Sequence, residues 1–190
     1  MQVVNLQSGS EYLLMLHKHE DGKFYVCQTR GDAIMHNAAN PASDTFDKDV
    51  TLAKRCVKLL ADADAGLKSK DAEERFLTAY LLVTKYRFVR TTKEEQVSAE
   101  QTKLILTAIK DADWSRNNDL VTRSNAQTLF NQLGLDKNDG WTPPQPMAGQ
   151  DYQKAFSDAA RAWIDQNAGT YRIKRFVPEK ADEKSKEKSK

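Results

Sequence analysis

Strand chemistry at both ends and helix chemistry between them is the pattern that most constrains how this chain can fold. Residues 11–29 hold two β-compatible runs, YLLMLHKH and FYVC, on either side of Asp21-Gly22. Asp-Gly between such runs is the favoured two-residue type I′ hairpin turn, because both turn positions need positive φ. That turn sets His19 across from Phe24 and His17 across from Val26. Strand alternation then places Met15, His17 and His19 on one face, with Leu14, Leu16 and Cys27 on the other. Residues 33–36 read as a third short strand. Near the far end, Tyr171, Ile173, Arg175 and Val177 alternate with Arg172, Lys174 and Phe176 as in an edge strand, which Pro178 stops. A two-stranded hairpin is marginal alone, and the terminal β segments can most simply find each other.

Between them the hydrophobic period is that of helices. A first helix over residues 47–61 carries Val50, Ala53, Val57 and Leu60 on one stripe, and residues 62–69 connect it to the next. The helix over 71–90 is apolar on nearly every side, through Phe76, Leu77, Tyr80, Leu81, Leu82, Val83 and Phe88, which marks it as the central, buried one. Ser98-x-x-Gln101 is a capping-box pattern opening a third helix to about residue 113. It turns Leu104, Ile105, Ala108, Ile109 and Ala112 inward. A fourth, over 119–133, presents Ala126, Leu129, Phe130 and Leu133, with Gly134 and Leu135 as a helix-ending pair. A fifth, over 151–167, presents Tyr152, Ala155, Phe156, Ala159, Ala160, Trp163 and Ile164. The loop between these two holds Trp141 and three prolines, a stiff connector anchored by its indole.

The expected class is therefore α+β and mainly helical. It is a five-helix bundle with a small antiparallel sheet from the N-terminal hairpin, which the C-terminal strand can join. Residues 1–36 form the hairpin or meander, 45–177 a helical domain ending in a strand, and 178–190 a charged, disordered tail. With 29 basic and 27 acidic residues in 190, the net charge of +2 disfavours a dedicated nucleic-acid or membrane-surface binder. The tail, five lysines against four acids, is a poor nucleic-acid arm. Residues 1–9 lack the basic and apolar regions of a signal peptide, and no apolar run approaches the roughly 20 residues of a membrane span. The face-value localisation is cytoplasmic.

Candidate chemistry is sparse. His17 and His19 at alternate strand positions, with Met15 near and Met35-His36 close by if the third strand pairs, can aim imidazole and thioether at one soft ion. His17, His19 and His36 are thus the candidate ligands for copper or zinc. Opposed to this, His-Lys-His before a turn is an ordinary exposed strand end. Two cysteines, Cys27 and Cys56, rule out a zinc finger by count and read as small buried apolar groups, with a disulfide left open. Residues 136–140 (DKNDG) fail as a calcium loop, since glycine falls one residue early and Met147 stands where a bidentate Glu is needed. No nucleophile elbow or phosphate-cradling glycine loop occurs, so no catalytic residue is assigned and the chain is read as a non-enzyme. The third and fourth helices, with Arg116 and Arg123, form a candidate helix-turn-helix for a DNA-binding regulator. The would-be recognition helix, 124–133 (SNAQTLFNQL), however contains no Lys or Arg for phosphate contacts. Arg172, Lys174 and Arg175 make a small basic patch.

Residues 62–87 resemble a HEAT-like helical unit, a polar-capped loop leading into a helix with paired apolar residues. Residues 12–16 (YLLML), Asp21-Gly22, Asp139-Gly140-Trp141, Trp163-Ile164 and 171–177 (YRIKRFV) resemble a group of uncharacterised, exported planctomycete-type bacterial proteins. In these a small β-barrel of netrin-like, OB-type topology precedes helices. The resemblance implies an exported or periplasmic protein, in a chain whose start is truncated relative to that pattern, and it implies no activity. The function expected is that of a non-enzymatic structural or protein-interaction protein. Another protein is its partner, met through a helical face or an unpaired strand edge.

Overall fold

The structure is a computed structural model, and it describes residues 8, 11–14, 16–18, 23, 25–26, 33–35, 45–88, 93–114, 125–145 and 149–177. The tail at 178–190 and the first part of the expected fourth helix lie outside the described residues. The elements run β1 (Tyr12–Leu14), β2 (His17–Lys18), β3 (Tyr25–Val26), β4 (Ala33–Met35), α1 (Phe46–Ala61), α2 (Ala63–Leu67), α3 (Ala72–Phe88), β5 (Glu94–Gln96), α4 (Ala99–Asp111), α5 (Ala126–Gln132), α6 (Tyr152–Asn167) and β6 (Lys174–Phe176). This is an α+β chain, mainly helical. It divides into two compact units, Met1–Val57 and Lys58–Lys190. The division falls inside α1, whereas composition puts it in the loop before that helix.

In the first unit β2 pairs with β3 antiparallel, His17 across from Val26 and Lys18 across from Tyr25. This is the register an Asp-Gly turn imposes. β4 pairs with β1, Met35 across from Tyr12 and Ala33 across from Leu14. Leu16, expected on the apolar face, is exposed.

In the second unit α3 is the centre. It packs against α2, α4, α5 and β6, and Leu77, Thr78, Ala79, Leu82 and Val83 on successive turns are all buried. The connector before α3 contains the short helix α2, capped by the Asp62 carboxylate accepting from Ala65 N at 3.1 Å. Gly66 lets α2 lie directly on α3. A Cβ there would come 2.5 Å from Thr78 Oγ1 and 3.2 Å from Leu59 Cδ2.

The rest of the core is aromatic. The Phe130 ring stands 6.2 Å from Trp114, 4.8 Å from Trp141, 6.1 Å from Phe156 and 5.8 Å from Trp163, mostly edge to face. Such pairs add about 0.5–1.5 kcal/mol each beyond their buried area. Trp141 thus anchors the proline-bearing loop as its position suggests. Helix ends follow the sequence signals. Ser98 and Asn125 cap α4 and α5, and Gly134 takes φ +69° just beyond α5. Only half of the capping box forms, because the Gln101 side chain accepts from Tyr86 OH at 2.7 Å.

Three expectations need correction. On α1 the expected inward stripe is exposed at Val57 (68%) and Leu60 (39%), and Leu59 is buried instead, because Leu59 is the residue turned towards α2. Tyr152, in the first turn of α6, is 37% exposed and meets the cluster through Phe156, 6.1 Å between ring centroids. The C-terminal strand pairs with β5, between α3 and α4, which carries no apolar alternation. Among the described helices none is long and apolar enough to cross a membrane.

Two substitutions check this packing. Alanine for a helical glycine ordinarily gains about 1 kcal/mol. Gly66→Ala is expected to lose about 1–3 kcal/mol instead, because Thr78 Oγ1 is held by the Glu74 carbonyl at 2.8 Å and cannot swing away. Phe130→Ala is expected to cost about 3–5 kcal/mol. Urea unfolding followed by tryptophan fluorescence reads both, and a neutral or stabilising Gly66→Ala contradicts the close contact.

Candidate functional site

β5 and β6 pair in the register Glu94 to Phe176, Glu95 to Arg175 and Gln96 to Lys174. Val97 N donates to Ile173 O at 2.8 Å and Val177 N to Lys93 O at 3.0 Å. Bonded and non-bonded pairs alternate along an antiparallel ladder. The bonded pairs are therefore Lys93–Val177, Glu95–Arg175 and Val97–Ile173. It follows that the N–H and C=O groups of Glu94 and Gln96 project from the outer side of β5, and those of Lys174 and Phe176 from the outer side of β6. Among the described residues none of these outward groups finds a backbone partner. β6 also lies against α3, whereas β5 packs substantially on β6 alone among the described elements. Among the described residues the outer side of β5 is an open edge, and Glu94 and Gln96 on it are exposed.

The side chains of this small sheet are charged on both faces. On one, Arg175 Nη2 donates to Glu95 Oε2 at 2.9 Å, with Lys93 Nζ 3.6 Å from the same carboxylate. The hydrogen bond from Arg175, chiefly, holds the Glu95 carboxyl below its ordinary range. On the other face the Arg87 guanidinium lies 4.5 Å from the Phe176 ring centroid and 3.8 Å from Glu94 Oε1. Such solvated pairs contribute little to stability.

A concavity of about 300 Å³ lies between the end of α4 and the start of α6, lined by Asp113, Trp114, Asp151, Gln153, Lys154, Ser157 and Arg161. Its polar groups are engaged in holding the fold. Arg161 donates to the carbonyls of Lys110 (3.2 Å) and Ala112 (3.4 Å), terminating α4, and its guanidinium lies 5.7 Å over Trp114. Gln153 donates to Trp114 O, Lys154 pairs with Asp158, and Asp151 caps α6.

Tyr171 packs edge to face on Trp163 at 5.2 Å. Burial first, and then the charge of Asp139, push its phenol up to about 12.

Of the histidine set, His17 sits in β2 across from Val26, while His19 and His36 lie outside the described residues. Cys56 carries a free, half-buried thiol, with its pKa raised by burial. Cys27 is outside the described residues, as are Arg116 and Arg123. Of the would-be recognition helix, α5 buries Ala126, Leu129 and Phe130 and exposes Thr128 and Asn131. Residues 136–140 form a tight 3₁₀ turn in which Asp136 accepts from Asn138 N and Asp139 accepts from Asp136 N. The basic patch resolves into exposed Lys174, Arg175 paired with Glu95, and Arg172 donating to the carbonyls of Gly169 and Tyr171. Among the described residues no group of three His, Cys, Asp or Glu is placed to hold a metal ion. The strand β5 was not foreseen, and its only local signal is the break between two helical periods.

No family model, no curated protein and no solved structure matches this chain.

Arg161→Ala is expected to destabilise the protein by about 1–3 kcal/mol in urea unfolding, with Arg161→Lys intermediate, because an ammonium cannot serve both carbonyls and the indole face. Tyr171 has a second signature. Its folded pKa lies above the unfolded value, so the stability it contributes is fully present below about pH 10. That stability is lost as pH rises towards about 12. Tyr171→Phe should flatten this alkaline loss, and an unchanged slope would assign it to other groups.

Proposed function

We propose that this chain is a non-enzymatic interaction protein that engages another polypeptide by strand addition. What carries the reading is the outer side of β5, where the main-chain groups of Glu94 and Gln96 face away from β6 on exposed residues. An added strand takes its affinity from main-chain hydrogen bonds and its selectivity from alternate side chains. Natural proteins blunt such edges with charge and short length, and β5, with Glu94 and Glu95 in three residues, has both features. It is therefore guarded against indiscriminate pairing yet open to a matched strand. Three residues of edge bury little area, so the contact is of the transient class.

The test is selection of extended peptides from a random displayed library against the whole chain, followed by amide hydrogen exchange of the complex. Slowed exchange at Glu94 and Gln96 is the expected result. Gln96→Pro, which removes the outward N–H without breaking a ladder bond, should weaken the selected peptides by about tenfold or more. Protection confined to helical faces would end the reading.

A further inference from the structure

Many extended chains can satisfy a bare edge, but the chemistry of β5 is matched by few. We infer that the strand added to β5 is β5 of a second copy of this chain, antiparallel about a twofold axis through Glu95. The inference rests on the edge-docking reading above and names its partner.

The register follows from the ladder. Centring on Glu95 sets Glu94 across from the second copy's Gln96, and Gln96 across from the second copy's Glu94. These are the residues whose N–H and C=O groups point outward, so both become bonded pairs and every outward main-chain group of β5 is used. On the same face each Glu94 carboxylate meets a Gln96 carboxamide, an acceptor against a donor, once on each side of the axis. On the opposite face the two Glu95 carboxylates approach at the axis. Each already has Arg175 at 2.9 Å and Lys93 at 3.6 Å, so cations outnumber carboxylates there.

The neighbouring registers are poorer. Centring on Glu94 sets Lys93 across from Glu95, but it puts two Glu94 carboxylates face to face. Each has one described cation, Arg87 at 3.8 Å, against two cations on each Glu95 in the first register. It also leaves Gln96 across from residue 92, beyond β5. Centring on Gln96 leaves Glu94 beyond the partner's strand. A foreign strand carrying carboxylates at these positions is repelled by Glu94 and Glu95, whereas the reversed sequence of β5 sets a carboxamide across from Glu94 and the apolar Val97 across from Lys93. Pairing of β6 with its own copy is disfavoured, since it would set Arg175 against Arg175 on an edge that already lies against α3.

The experiment is sedimentation equilibrium of the full chain over roughly 10 µM to 1 mM, the range of a weak contact. A reversible monomer–dimer equilibrium is expected. Gln96→Lys, which faces the partner's Glu94, should tighten it several-fold, and Gln96→Glu should weaken it several-fold. Within one copy Lys174 stands across from position 96, so these substitutions act on folding stability in the reverse sense. A dimer response of the stated sign is therefore not a by-product of folding. Monomer throughout, charge variants that shift the equilibrium in the same direction, or a dimer that survives Gln96→Pro each overturn self-pairing. In any of those cases a neutral alternating Thr-Val peptide is added and amide exchange is measured. Protection of Glu94 and Gln96 by the peptide retains the edge reading and removes only the second copy, and no protection removes both.

Discussion

The Phe130 ring is the contact on which the second unit depends. It touches four segments at once: α5 that carries it, the end of α4 through Trp114, the proline-bearing loop through Trp141, and α6 through Phe156 and Trp163. α5 is only seven residues long, far below the length at which a helix persists on its own propensity. It is helical because Leu129, Phe130 and Leu133 are buried together. Two of its three indole donors are hydrogen-bonded, Trp114 to Ile109 O at 3.1 Å and Trp163 to Asp139 O at 2.9 Å. At these two rings burial of aromatic area is gained without the cost of an unpaired N–H group.

Charge is used in two distinct ways around this core. Lysines pair on the surface, with Lys68 on Glu100, Lys154 on Asp158 and Lys110 on Asp165, in contacts that water and salt weaken. Half-buried arginines do structural work with their planar forks. Arg75 donates to the carbonyls of Ser69 and Lys70, Arg161 closes α4, and Arg87 lies over Phe176. Arginine is suited to this because it presents several fixed donors and stacks on rings.

Most of the helical architecture was legible from residue spacing. The wrap-around apolar pattern of α3 marked it as central, and the inward residues of α4 and α5 were read nearly as they fall. The Asp-Gly hairpin register was legible too, since turn chemistry fixes it locally. What spacing did not reveal is β5. Glu94, Glu95 and Gln96 have neither β-branching nor apolar alternation, and they form a strand because β6 is held beside them. Strand preference is largely a property of the neighbours. For the same reason spacing offers β6 the N-terminal hairpin as a partner, whereas it pairs with β5. The candidate interaction edge was illegible with it, because an edge is defined by what fails to pair. Only the basic residues of β6 and its edge-like alternation were visible in advance. The exposure of Val57 and Leu60 was hidden because a helical stripe states which residues share a side, without stating which side the fold covers.

Glu95 and Arg175 are 80 residues apart in the chain. Bringing such distant segments together costs closure entropy that local helices never incur. The open edge is thus a late product of folding. A chain still emerging from the ribosome has no β6 to hold β5 extended, and so lacks the strand edge. Unpaired strand backbone is thereby withheld until the helices are assembled, past the stage at which nascent chains are most prone to aggregate.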